Sequence, residues 1–157
     1  MMNAMKLLVA IDFSESAESV IAEAEKLAKT LSAKVFLLHA MPPLSPIMDN
    51  VDDAATLPQP GIPFQMESLP RLSASAKEKL IEISGRMQAE GIECAIILTH
   101  NNEVEAIIEE SKKNRIDMIL LGSHGHGALY HLLIGSVSEG VIRKASCPVI
   151  IIPSKKQ

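Results

Sequence analysis

The sequence predicts an α/β domain built on an open, five-stranded parallel sheet with helices on both faces. Five short aliphatic runs and the helical hydrophobic spacing of the segments between them carry that prediction. A third observation agrees. The 47% hydrophobic content rests on Ile, Leu, Val, Ala and Met, with three Phe, one Tyr and no Trp, and aliphatic residues suit strands buried on both faces. At 157 residues the chain fits a single domain spanning 1–157, and a chain of this size buries roughly two thirds of the surface its unfolded form exposes.

In chain order the runs are Lys6 to Ile11, Val35 to Ala40, Cys94 to Thr99, Met118 to Leu121 and Val149 to Ile152. Each is too short for a typical helix and rich in Ile, Leu or Val, so each reads as a buried strand. Val20, Ala24, Leu27, Ala28 and Leu31 recur at helical spacing after the first run, and Leu72, Ala76, Leu80, Ile83 and Met87 before the third. Val104, Ile107 and Ile108, then Val137, Val141 and Ala145, complete the alternation. Strands alternating with helices pair in parallel through right-handed crossovers. One segment breaks the rhythm: residues 42–68 hold Pro42, Pro43, Pro46, Pro58, Pro60 and Pro63 with Asp49, Asp52 and Asp53, and cannot propagate a helix or a central strand. It reads either as a long loop or as a lid or partner-binding loop beside a ligand.

Charge and cysteine content exclude several classes. The net charge is −4, and the basic residues fall in small groups (Lys112, Lys113 and Arg115; Arg143 and Lys144; Lys155 and Lys156) that read as solvated helix faces and a tail. Nucleic acid is not an expected partner. Cys94 and Cys147 have neither CxxC spacing nor the density of a disulfide scaffold, so they read as ordinary thiols in a reducing compartment. The opening MMNAMKLLVAID has no long apolar region or A-x-A cleavage site, and no stretch reaches the length of a membrane span. The expectation is a cytoplasmic protein with no membrane partner.

The segment that carries chemistry follows the fourth run: Gly122-Ser123-His124-Gly125-His126-Gly127, then Gly135-Ser136-Val137-Ser138-Glu139 opening the last helix. Glycines allow a ligand close to the backbone, and amides at a helix start attract anions, which together make a phosphate cradle. A competing explanation is local, because Ser136 and Glu139 form an S-x-x-E capping box that by itself accounts for helix initiation. From spacing alone the two stand level. Neither a GxxxxGK[ST] run nor GxGxxG after the first strand is present. No Lys or Arg lies between Gly122 and Ser136, so phosphate charge would fall to amides, hydroxyls and a divalent cation, Mg2+ or Mn2+.

Gly122, Gly125 and Gly135-Ser136 together match the G-x2-G-x9-G-[ST] signature at every fixed position, and in this the chain resembles the ATP-binding branch of the universal stress protein family. The likeness covers nearly the whole chain, since Val9 to Ser14 is similar to that family's first strand and turn, and Cys147 to Pro153 to its last strand. The resemblance implies a Rossmann-like, adenine nucleotide alpha hydrolase-like sheet of order 3-2-1-4-5. Its switch point then falls between the first and fourth strands, where open α/β sheets bind ligands. It further implies ATP as ligand, with Ala10, Ile11 and Asp12 at the adenosine end and Ala40 lining the adenine pocket. Gly122, His124 and Gly125 would approach the ribose and phosphates, and Gly135, Ser136, Val137 and Ser138 the outer phosphates. The family often carries Pro where Ala10 stands and Val where Ala40 stands. A homodimer joined through Val149 to Ile152 is also implied, which would protect an apolar edge.

Other chemistry fits less well. His124, His126 and His131 invite a metal, but zinc sites want three or four ligands and no cysteine or carboxylate cluster accompanies them. Ser123 or Ser136 with a histidine and Asp12 makes a triad on paper only, because the GxSxG elbow is missing. Asp12 also reads as a helix-start feature alongside Ser14, a role compatible with ligand contact. An ATPase or nucleotidyl transferase is the strongest enzymatic alternative, yet the loop has no cationic residue to stabilise developing charge. The expectation is a non-enzymatic sensor or regulator in stress response that binds ATP. A nucleotide-independent interaction module is the remaining alternative.

Overall fold

The computed structural model describes residues 3–42, 68–123 and 134–154. Their elements alternate as expected: β1 (Lys6–Ala10), α1 (Ala17–Leu31), β2 (Lys34–Met41), α2 (Ser68–Ala89), β3 (Cys94–His100), α3 (Glu103–Lys113), β4 (Met118–Gly122), α4 (Ser136–Lys144) and β5 (Val149–Ile152). All pairings are parallel and the strand order is β3-β2-β1-β4-β5. The Pro-rich segment falls almost wholly outside the described residues. At its end α2 begins with Pro70 inside the first turn, where the missing N–H removes no helical hydrogen bond.

Side chains alternate across the strands, which divides the core in two. On one face Leu7, Val9, Val35, Leu37 and Leu120 pack with Val20, Ile21 and Ala24 of α1 and Leu80, Ile83 and Met87 of α2. On the other, Leu8, Leu38, Ile119 and Leu121 pack with Ala106, Ile107 and Ile108 of α3 and Val141 of α4. Burying each large aliphatic side chain contributes about 1.5–3 kcal/mol, so both layers hold helices to the sheet by the same means.

Three sequence expectations need correction. Leu72, placed on the buried face of α2, is 56% exposed, because only Ala76 and the later positions of that stripe meet the sheet. β1 ends at Ala10 rather than Ile11, although Ile11 still donates its N–H to Leu38 O at 3.0 Å. Ala145 terminates α4 as its C-cap instead of belonging to its interior.

The surface charges behave as solvated helix ends. Lys113 pairs with Glu110, Arg143 with Glu139, and Lys144 with Glu105 across α3 and α4. Cys94 and Cys147 are free thiols, and burial pushes both pKa values up. No helix among the described residues is long and apolar enough to cross a membrane.

Candidate functional site

Between β1 and β4 the sheet changes direction of progression, and at such a point open α/β sheets place their ligand crevice, outside the carboxyl ends of the strands. β1 and β4 are paired as Val9 with Leu120, and continuing that register brings Gly122 to the level of Ile11. β2 pairs Ala10 with Leu38, so Ala40 lies two residues further on, at the level of Asp12. Ala10, Ala40 and Val137 all pack into the layer shared with α3 and α4.

The turn after β1 is held by its own acid. Asp12 Oδ1 accepts the N–H of Ser14 at 2.9 Å, and Phe13 between them takes a left-handed φ of 59°. α1 starts only at Ala17, with Ser16 as N-cap. Asp12 is therefore not a helix cap as the sequence allowed; it shapes a turn at the mouth of the crevice.

The other wall is the start of α4. Its N-cap is Gly135, in extended conformation, and no side chain caps it among the described residues. Ser136 and Glu139 stand one position too late for the capping box, and Glu139 instead binds Arg143 at 2.8 Å. Intrahelical bonding begins with Glu139 N–H to Gly135 O at 3.0 Å, so the amides of Ser136, Val137 and Ser138 have no helical carbonyl to meet.

Short bonds clamp this helix start to the sheet. Gly135 N–H donates to Ser123 O at 2.7 Å, and the buried Ser138 hydroxyl donates to Gly122 O at 2.7 Å. Ser123 N–H in turn donates to Ile152 O at 2.9 Å, joining β5. The sequence offered the Ser138 hydroxyl to a phosphate; its proton is committed to Gly122, leaving the amide as this residue's outward donor.

Ala10, Ile11, Asp12, Ala40 and Gly122 thus lie at or just beyond the carboxyl ends of β1, β2 and β4, and Gly135, Ser136, Val137 and Ser138 at the start of α4 clamped to Gly122 and Ser123, while His124 and Gly125 lie outside the described residues, as do His126 and His131. Two residues near the crevice escaped the sequence reading. His39 bonds Ile11 O through Nδ1 at 2.8 Å, and Thr99, paired with Ala40, holds a buried hydroxyl with no partner among the described residues. A polar residue inside an aliphatic strand was the available signal in both cases.

A second concavity, of about 350 Å³, lies at the opposite end of the sheet between Ala28, Ser32, Ala33 and Ile92. Its lysines, Lys29 and Lys34, are paired with Glu90 and Glu93, so it presents no uncompensated charge to a ligand. The chemistry gathers at the carboxyl end.

Known proteins agree with this architecture. The model of the universal stress protein family matches residues 3–153. Universal stress protein MJ0577 of Methanocaldococcus jannaschii is 32% identical over 155 residues, covering 96% of this chain and 95% of its own. The solved structure of MJ0577 superimposes with a TM-score of 0.77 at 27% identity, covering 98% of each chain. A universal stress protein from Archaeoglobus fulgidus, solved in complex with dAMP, shares the fold with a TM-score of 0.64 at 24% identity over 96% of this chain and 99% of that one.

Proposed function

The chain belongs to the universal stress protein family, and from that premise we propose that it binds ATP in the crevice between β1 and β4 and acts as a nucleotide-dependent sensor or regulator in stress response. The observation that carries the reading is the start of α4: three amides without helical carbonyls, at a helix start fixed to Gly122 and Ser123 beside the switch point. Helix-start amides bind phosphate by their donors and by the dipole. The dAMP complex of the Archaeoglobus protein supports an adenine nucleotide as the ligand class.

In this reading Ile11, Asp12, Ala10 and Ala40 hold the adenosine end, with the two alanines giving the base its space. Gly122, with His124 and Gly125, takes the ribose and inner phosphates. The amides of Ser136, Val137 and Ser138 and the Ser136 hydroxyl take the outer phosphates. The sequence supplies no Lys or Arg from Gly122 to Ser136, so Mg2+ or Mn2+ on the phosphates completes their neutralisation. That same absence favours ATP as a state signal over ATP as a substrate. Half-buried Val149, Ile150 and Ile151 lie on an edge strand and support a homodimer through β5. A cytoplasmic location accords with both.

The test is to denature freshly purified protein, identify released nucleotide by mass, and titrate the emptied protein with ATP and GTP, with and without Mg2+. ATP released, or bound in preference to GTP, is expected. No binding under any condition would leave the fold and move the function to nucleotide-independent interaction.

A further inference from the structure

We propose that His39 is a positioning residue for the nucleotide, acting through the Ile11–Asp12 peptide; the inference rests on the adenine-nucleotide reading above. β1 stops at Ala10, yet Ile11 is bound to β2 on both sides of its α-carbon. Its N–H donates to Leu38 O at 3.0 Å, and its carbonyl faces His39 Nδ1 at 2.8 Å. A carbonyl can only accept, so Nδ1 carries the proton and the bond selects that tautomer. His39 serves as one more rung where the backbone ladder has ended.

The consequence reaches Asp12 through peptide planarity. In a trans peptide the carbonyl and the following N–H point in opposite directions, so holding Ile11 O fixes where the Asp12 amide faces. The same ring also supports the next residue. Phe13 is left-handed, a conformation that bulky residues avoid, and its ring rests on His39 with centroids 4.4 Å apart. Lys79 Nζ lies 5.1 Å from the other partner of that contact, the Phe13 ring. Because strand residues alternate, His39 braces the turn from the α1 and α2 side while its neighbour Ala40 packs on the side of the crevice. One pair of adjacent residues thus lines the pocket and holds its rim.

Two variants separate the bond from the ring. His39→Phe keeps an aromatic ring against Phe13 and removes the donor, whereas His39→Asn keeps an N–H near the Nδ1 position and removes the ring. With Mg-ATP titrated into emptied protein, His39→Phe is expected to bind about tenfold more weakly and His39→Asn within about threefold of wild type, since loosening a preorganised turn is charged to affinity. Melting temperatures show whether each variant folds. Equal affinity of His39→Phe and wild type, or equal losses in both variants, overturns the inference and leaves the nucleotide reading intact. A wild type that binds no adenine nucleotide overturns both. Should His39→Phe fail to fold, 15N NMR of the wild-type ring decides: a proton on Nδ1 upholds the bond, and a proton on Nε2 alone overturns it.

Discussion

α3 and α4 follow successive handovers from the sheet, each starting at its carboxyl end, and their first turns are finished in opposite ways. At α3, Asn102 accepts the N–H groups of Val104 and Glu105 at 3.0 and 3.4 Å, and Glu103 and Glu105 place acid in the first turn. At α4, Gly135 offers no side chain, the first acid is Glu139, and that acid is held by Arg143. The first helix start answers its own dipole; the second, among the described residues, has no such cap. A helix start at the carboxyl end of the sheet therefore does not by itself make a site. The proposed site is where the chain withholds its own cap and still fixes the helix end, here through Gly122, Ser123 and Ser138.

Giving α4 the acid that α3 already has should produce the largest effect. Gly135→Asp is expected to leave stability unchanged or raised by a few tenths of a kcal/mol, because aspartate caps at least as well as glycine and favours the dipole. ATP affinity should fall on the order of 100-fold, about 2.8 kcal/mol, because the new carboxylate would face the phosphates; thermal melts and calorimetry read the two together. Next comes Ser138→Ala, which leaves Gly122 O without its donor. It should cost about 1–3 kcal/mol in urea unfolding and weaken ATP as well. Asn102→Ala should cost about 1 kcal/mol of stability with ATP affinity untouched, since it opens a helix start that faces no ligand. Smallest is Ser136→Ala: as Ser136 caps nothing, stability should hold within about 0.5 kcal/mol while affinity falls several-fold. A stability loss of a full kcal/mol there would restore the capping box.

The alternation of elements was legible because each strand is an unbroken aliphatic run, and the four predicted helices follow from spacing around Val20, Ile83, Ile107 and Val141. The strand order came from the family resemblance of the glycine signature, not from periodicity. What stayed hidden depends on contacts distant in sequence. Whether Ser136 is a cap or the first helical residue is decided by Gly135 N–H reaching Ser123 O, a bond that no local pattern announces. Leu72 fits the apolar stripe of α2 and still faces outward, because the sheet ends before the helix does. A Cβ at Gly140 would stand 2.8 Å from Val104 Cγ2, so this glycine marks where α3 and α4 approach. His39 was read as one more strand residue, and only its bond across 28 positions to Ile11 gives it a role.

The most direct measurement is an amide-resolved NMR titration of emptied protein with Mg-ATP. The amides of Ser136, Val137, Ser138 and Asp12 should shift together and saturate at one affinity, while those of Val104 and Glu105 stay in place. Shifts at the start of α3 instead, or an unmoved α4 under saturating ATP, would contradict the assignment of the nucleotide to the open helix start.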